Sequence, residues 1–172
     1  MDYRKIMAID AGLRNFAYCV VDTQNWREPL VWNLVDLWPP HPGKHTKPSN
    51  QEILDVTMRW FRKNRQLFED VDEVIFETQI RKPFIVMNTV LQAMVFDKYK
   101  QVSPMTVGAF WKLPKTRDAK KRAAIDLVAR YAAIPRSYNA KQDDLADAWL
   151  LAVWGLIEAG GLGKNSVVQI KD

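Results

Sequence analysis

The sequence has 172 residues, 48% hydrophobic and 26% charged, enough for one domain with a substantial core, expected to span 1–172. Its single cysteine, Cys19, excludes an intrachain disulfide and a thiolate zinc cluster, and no uncharged apolar run approaches the ~20 residues of a membrane span. The net charge is +5, but residues 98–141 carry eleven Lys and Arg against Asp118 and Asp126, a local +9 that leaves the remainder at −4 and points to a polyanionic partner for one segment.

Ile6 to Ile9 form a short apolar run ended by Asp10, with no signal-type apolar core before it, so no leader is expected. After a turn at Gly12, Phe16, Tyr18 and Val20 alternate with Ala17, Cys19 and Val21, which predicts a second strand paired with the first. A third strand is predicted over Leu30–Leu37. The stretch 38–50, with Pro39, Pro40, Pro42 and Pro48, is a loop. Both histidines, His41 and His45, fall there; the prolines forbid the helix that would bring them together, so they are read as solvated and not catalytic.

Ser49 or Asn50 caps a predicted helix running to about Phe68, followed by a buried strand, Glu73–Glu77. The helix Phe84–Phe96 is apolar almost all round, which suggests that one face packs on the sheet and another on a second copy, giving a homodimer. A short strand, Val102–Thr106, then helices Asp118–Tyr131 and Asp143–Ala159 complete an α/β order with an initial meander. Trp60, Trp149 and Trp154 lie at core spacing; Trp26, Trp38 and Trp111 adjoin loops, where stacking on unpaired bases competes with the favoured reading of loop anchors.

Four acids carry the chemistry. Asp10 and Glu77 each end a hydrophobic strand, where a carboxylate is costly unless a cation or donor meets it. Asp144 and Asp147 are i and i+3 on one helix, so both carboxylates share a face near its positive end, with Asp143 taking the cap. Singly, each has a bland reading as a turn, strand-end or first-turn acid; three such places in one chain suggest a shared metal site. An all-oxygen set suits magnesium, and two-metal phosphodiester hydrolysis needs carboxylates from several elements. Arg14 and Asn15 stand close enough in sequence to Asp10 to reach phosphate or sugar, and Lys112, Lys115, Arg117, Lys120, Lys121, Arg122 and Lys141 are candidate phosphate contacts, with Lys115 a candidate at the scissile phosphate.

Ile-Asp-Ala-Gly-Leu-Arg-Asn-Phe-Ala-Tyr-Cys (9–19), Ile-Phe-Glu-Thr-Gln (75–79), Val-Ser-Pro-Met-Thr-Val (102–107) and Asp-Asp-Leu-Ala-Asp-Ala (143–148), in this order, resemble the RuvC-like Holliday junction resolvases of the RNase H-like superfamily. Among these the chain is most similar to the poxvirus and fungal mitochondrial enzymes. The resemblance implies an RNase H-like fold with a five-stranded mixed sheet flanked by helices, and a homodimer making paired symmetric nicks in four-way DNA junctions. It implies that Asp10, Glu77, Asp144 and Asp147 hold two Mg2+, replaceable by Mn2+, and that Lys115 or Lys120 is the basic residue near the scissile phosphate. A poxvirus-like protein would act in the host cytoplasm and a fungal-like one in the mitochondrion. The alternatives are an RNase H-like nuclease cutting RNA–DNA hybrids or other branched DNA, and an inactive nucleic-acid-binding domain, which the intact acidic set argues against.

Overall fold

A computed structural model describes residues 3–38, 47–136, 141–164 and 167. His41, His45 and most of the proline-rich loop lie outside the described residues. Strands β1 (Lys5–Asp10), β2 (Phe16–Asp22) and β3 (Val31–Val35) form the expected antiparallel meander. Strands β4 (Glu73–Glu77) and β5 (Tyr99–Val102) then add in parallel to β1, giving a five-stranded mixed sheet in the order β3-β2-β1-β4-β5. The described helices are α1 (Asn50–Lys63), α2 (Arg65–Glu69), α3 (Lys82–Met94), α4 (Pro104–Phe110), α5 (Arg117–Ala129) and α6 (Gln142–Glu158).

Two expectations about elements are corrected. The helix expected to reach Phe68 stops at Lys63, because Asn64 turns its side-chain amide back onto the Trp60 carbonyl (2.8 Å) and the chain restarts as α2. The strand expected over Val102–Thr106 is instead the last residue of β5 followed by α4. Ser103 accepts from the Met105 amide as N-cap and Pro104 occupies the first helical position, where its fixed φ and missing N–H cost nothing. For α1 the cap is Ser49, in a capping box with Glu52.

Strand alternation sorts the core into two halves. Ile6, Ala8, Ala17, Cys19 and Ile75 pack under α6, whereas Met7, Ile9, Phe16, Tyr18, Val74 and Phe76 pack with residues of α1 and α3. Helix α6 is buried nearly all round from Leu145 to Ile157. Gly155 sets its distance from the sheet: a Cβ there would stand 2.0 Å from Ile75 Cδ1 and 3.1 Å from Ile6 Cγ2. Three indole N–H groups fix its rotation, Trp32 donating to the Leu145 carbonyl (2.9 Å), Trp111 to Leu150 (3.1 Å) and Trp149 to Trp26 (3.0 Å). Trp26, Trp38 and Trp111 are all buried, so the reading of these residues as anchors holds.

Candidate active site

The same alternation aims the strand-end acids. Asp10 follows Ile6 and Ala8 at even spacing, and Glu77 follows Ile75, so both carboxylates leave the sheet on the α6 side. β1 and β4 are parallel neighbours, with Ile9 opposite Phe76, which sets Asp10 and Glu77 side by side at the carboxyl edge. The chain can turn there because of Gly12, where a Cβ would collide with the Asn15 carbonyl oxygen at 2.5 Å. The first two turns of α6 face this edge and bring Asp144 and Asp147.

The acids feel one another. Asp10 is held well above the usual carboxylate range, first by desolvation and then by the charges of Glu77, Asp147 and Asp144. Desolvation, then Asp147, pushes Glu77 up to about 7. Asp147 is pushed up to about 6 by desolvation, against the pull of Lys120 and with the further push of Asp144 and Asp143. Asp144 is raised by desolvation and Asp143 and eased by Lys121, Lys141 and Arg117. Four partly buried, mutually repelling carboxylates fit a hard cation with oxygen ligands. Among the described residues no three His, Cys, Asp or Glu side chains stand close enough together, as the side chains are placed, to hold a metal ion.

These shifts give the metal-free protein a characteristic pH dependence. Unfolded, Glu77 and Asp147 release protons near their ordinary values of 4.5 and 3.8; folded, they retain them to about 7 and about 6. Their protonated forms therefore favour the fold, and that stability is present below pH ~4 and lost as pH rises through 6 and 7. In chelator, the thermal midpoint of the wild type is expected to fall between pH 5 and 7.5 relative to Glu77→Gln, and added divalent metal to restore it. Parallel profiles for the two proteins would show that Glu77 is not under this strain.

The basic residues divide. Lys120, on α5, is the cation whose charge opposes the shifts of Asp10, Glu77 and Asp147, and its Cε lies 4.0 Å from where a Cβ on Gly108 would be. Lys115 is exposed in the turn before α5, as are Arg117 and Arg122 at the start of that helix. Lys112, also exposed, follows the C-cap Trp111 of α4 with φ 53, a left-handed conformation that glycine adopts more readily. Lys121 is paired with Asp143, whose contact raises the lysine pKa, and Arg14 stands 3.7 Å from Asp36. Asp143 is thus not the expected cap: the N-cap of α6 is Lys141, without a side-chain cap bond, and Asp143 belongs to the first turn, buried against Lys121. Asn15 lies in the β1–β2 turn at the same edge.

Two residues not singled out from sequence also reach the site. Gln79 Nε2 approaches Asp10 Oδ1 at 3.5 Å, and Asn88 of α3 donates to the Glu77 carbonyl at 2.8 Å. Gln79 was within view, since it closes the Ile-Phe-Glu-Thr-Gln motif; nothing in the sequence distinguishes Asn88 from other polar residues on an apolar helix.

The five-stranded mixed sheet with its flanking helices is an RNase H-like α/β fold. Residues 4–159 match the model of the Poxvirus A22 protein family, and the chain belongs to that family. Among solved structures, the yeast mitochondrial Holliday junction resolvase has a TM-score of 0.61 at 16% identity, with 86% of this chain and 76% of that chain covered. The fowlpox virus resolvase in complex with substrate Holliday junction DNA has a TM-score of 0.60 at 17% identity, covering 90% and 98%. Thermus thermophilus RuvC in complex with a Holliday junction substrate has a TM-score of 0.57 at 14% identity, covering 91% and 94%. No curated protein matches the chain.

Proposed function

We propose that this protein is a magnesium-dependent endonuclease that resolves four-way DNA junctions by paired symmetric nicks, acting as a homodimer in the cytoplasm of an infected cell. The observation that carries the reading is the meeting of Asp10, Glu77, Asp144 and Asp147 at one sheet edge, with Lys120 beside them, in a member of the Poxvirus A22 protein family. These four residues would hold the metal, with Mn2+ able to substitute. When bound, the metal would supply activation of a water and stabilisation of charge on the scissile phosphate. Asp10 and Glu77 give the site a rigid floor, because the paired strands fix their backbones. Asp144 and Asp147 approach from α6, whose rotation the indole bonds lock. Lys120, whose charge acts on Asp10, Glu77 and Asp147, would share the phosphate charge, while the exposed Lys112, Lys115, Arg117 and Arg122 would grip the DNA backbone. Lys121 and Lys141 remain in the same basic segment, and Arg14 and Asn15 flank Asp10 for phosphate or sugar contact.

Helix α3 supports the dimer. Met87 and Leu91 are buried, whereas Ile85 and Met94 are each more than two-fifths exposed and Phe96, just past the helix end, is 78% exposed. Among the described residues no helix is long and apolar enough to cross a membrane.

The protein, incubated with a labelled synthetic four-way junction, a matched duplex and an RNA–DNA hybrid, is expected to cut only the junction, only with Mg2+ or Mn2+, and at symmetric positions. Light scattering at micromolar concentration is expected to give twice the 19.9 kDa chain mass. Preferential cutting of the hybrid would assign an RNase H-type activity. Junction binding without cutting would assign a binding domain, and a monomer with and without junction would exclude the α3 interface.

A further inference from the structure

We propose that Asn88 is a positioning residue for Glu77, holding the end of β4 from behind so that the carboxylate keeps its reach toward the metal. The inference rests on the metal-site reading above. Asn88 lies on α3, within the half of the core opposite α6, and is only 3% exposed. Its Nδ2 donates to the Glu77 backbone carbonyl at 2.8 Å, and because a carbonyl accepts only from the N–H side of an amide, this bond fixes the amide's orientation. The Glu77 peptide is therefore bonded on the α3 side, while its side chain projects to the α6 side.

The remaining polar atoms on this part of α3 show what the bond costs. Asn88 Oδ1 is buried without a partner, and so is Gln92 Nε2 one helical turn further on. A buried amide left half satisfied is a net burden, and leucine would fill the same space in a helix whose buried neighbours are Met87 and Leu91. What leucine cannot supply is a donor to the strand end. Groups that fix metal-binding residues from behind typically govern metal affinity or activity by about 10- to 100-fold when lost.

Two variants test this in the full chain. Asn88→Leu keeps the volume and removes both the donor and the orphaned oxygen. Asn88→Asp keeps the shape and presents an oxygen to the carbonyl. Each is expected to raise the Mn2+ Kd, measured by calorimetry on the protein alone, and the Mg2+ concentration for half-maximal junction cleavage by about 10-fold or more. The KM for the junction should change little, because the basic grip is untouched. The thermal midpoint of Asn88→Leu in chelator is expected to equal or exceed that of the wild type. Should Asn88→Leu fail to fold, Asn88→Asp decides by the same titrations. Wild-type metal affinity in a folded variant overturns the proposal and leaves Asn88 a core residue. A wild-type protein that binds no divalent ion overturns the metal reading, and this inference with it.

Discussion

Asp10→Asn, Glu77→Gln, Asp144→Asn and Asp147→Asn are each expected to lower junction cleavage on the order of 10³-fold or more, with junction affinity kept or increased. Each removes one charge from the set that would hold the metal, and the loss of about 4 kcal/mol of stabilisation at the phosphate corresponds to that factor. None touches the basic segment that grips the backbone, and each lowers repulsion toward bound phosphates. The same substitutions are expected to leave the metal-free thermal midpoint unchanged or higher. Asp10, Glu77 and Asp147 are all raised by desolvation and by neighbouring acids, and an amide escapes both costs. Cleavage assays, gel-shift titrations and melting in chelator separate the outcomes. Near-wild-type cutting by any variant would remove that residue from the site. Parallel loss of cutting, binding and melting temperature would make the residue structural.

Lysine substitutions should split into two kinds. Lys120→Met is expected to lower turnover about 10²-fold with junction affinity changed only a few-fold, because the positive charge opposing three of the acids disappears from the reacting region. Lys115→Met, at an exposed position in the turn before α5, is expected to leave turnover close to wild type. It should weaken binding to junction and duplex alike and reduce the log–log salt slope by ~0.9 if it contacts one phosphate. Single-turnover cleavage at saturating protein, combined with binding across a salt series, distinguishes them. Reversal of the two phenotypes would make Lys115 the lysine at the scissile phosphate.

Four of the five strands, and the placing of Asp10 and Glu77 at strand ends, were legible in the sequence because they rest on local rules. Period-two alternation after Gly12, and carboxylates directly after Ile9 and Phe76, need no tertiary information, and the i, i+3 spacing of Asp144 and Asp147 fixes their common face. The failures arise where a side chain turns on its own backbone or meets a distant partner. Asn64 ended α1 through a bond to Trp60, and Ser103-Pro104 opened α4 where β-branched neighbours suggested a strand. Asp143 was assigned a cap by its place before the helix, yet it is buried against Lys121, 22 residues away, a pairing that only the packing of α5 on α6 creates. That Lys120 acts on Asp10, Glu77 and Asp147 likewise follows from how α5 packs on α6, which no local pattern displays. Gly155 carries no mark in the sequence beyond being a glycine in a helix; its meaning appears only with Ile75 and Ile6 beneath it.

Asp10 and Glu77 sit on hydrogen-bonded parallel neighbours, so the gap between their backbones is the interstrand spacing of a β-sheet, ~4.8 Å, whatever residues build the strands. The site's baseline is thus a lattice constant of the polypeptide. Side chains elsewhere in the core can change, provided the strands stay paired, Asp10 and Glu77 stay at their ends and Asp144 and Asp147 stay on α6. A chain that shares only 16% or 17% of its residues with the yeast and fowlpox resolvases can keep the same frame for that reason. Divergence erodes the hydrophobic vocabulary while the ruler by which the carboxylates are spaced is renewed with every folded copy.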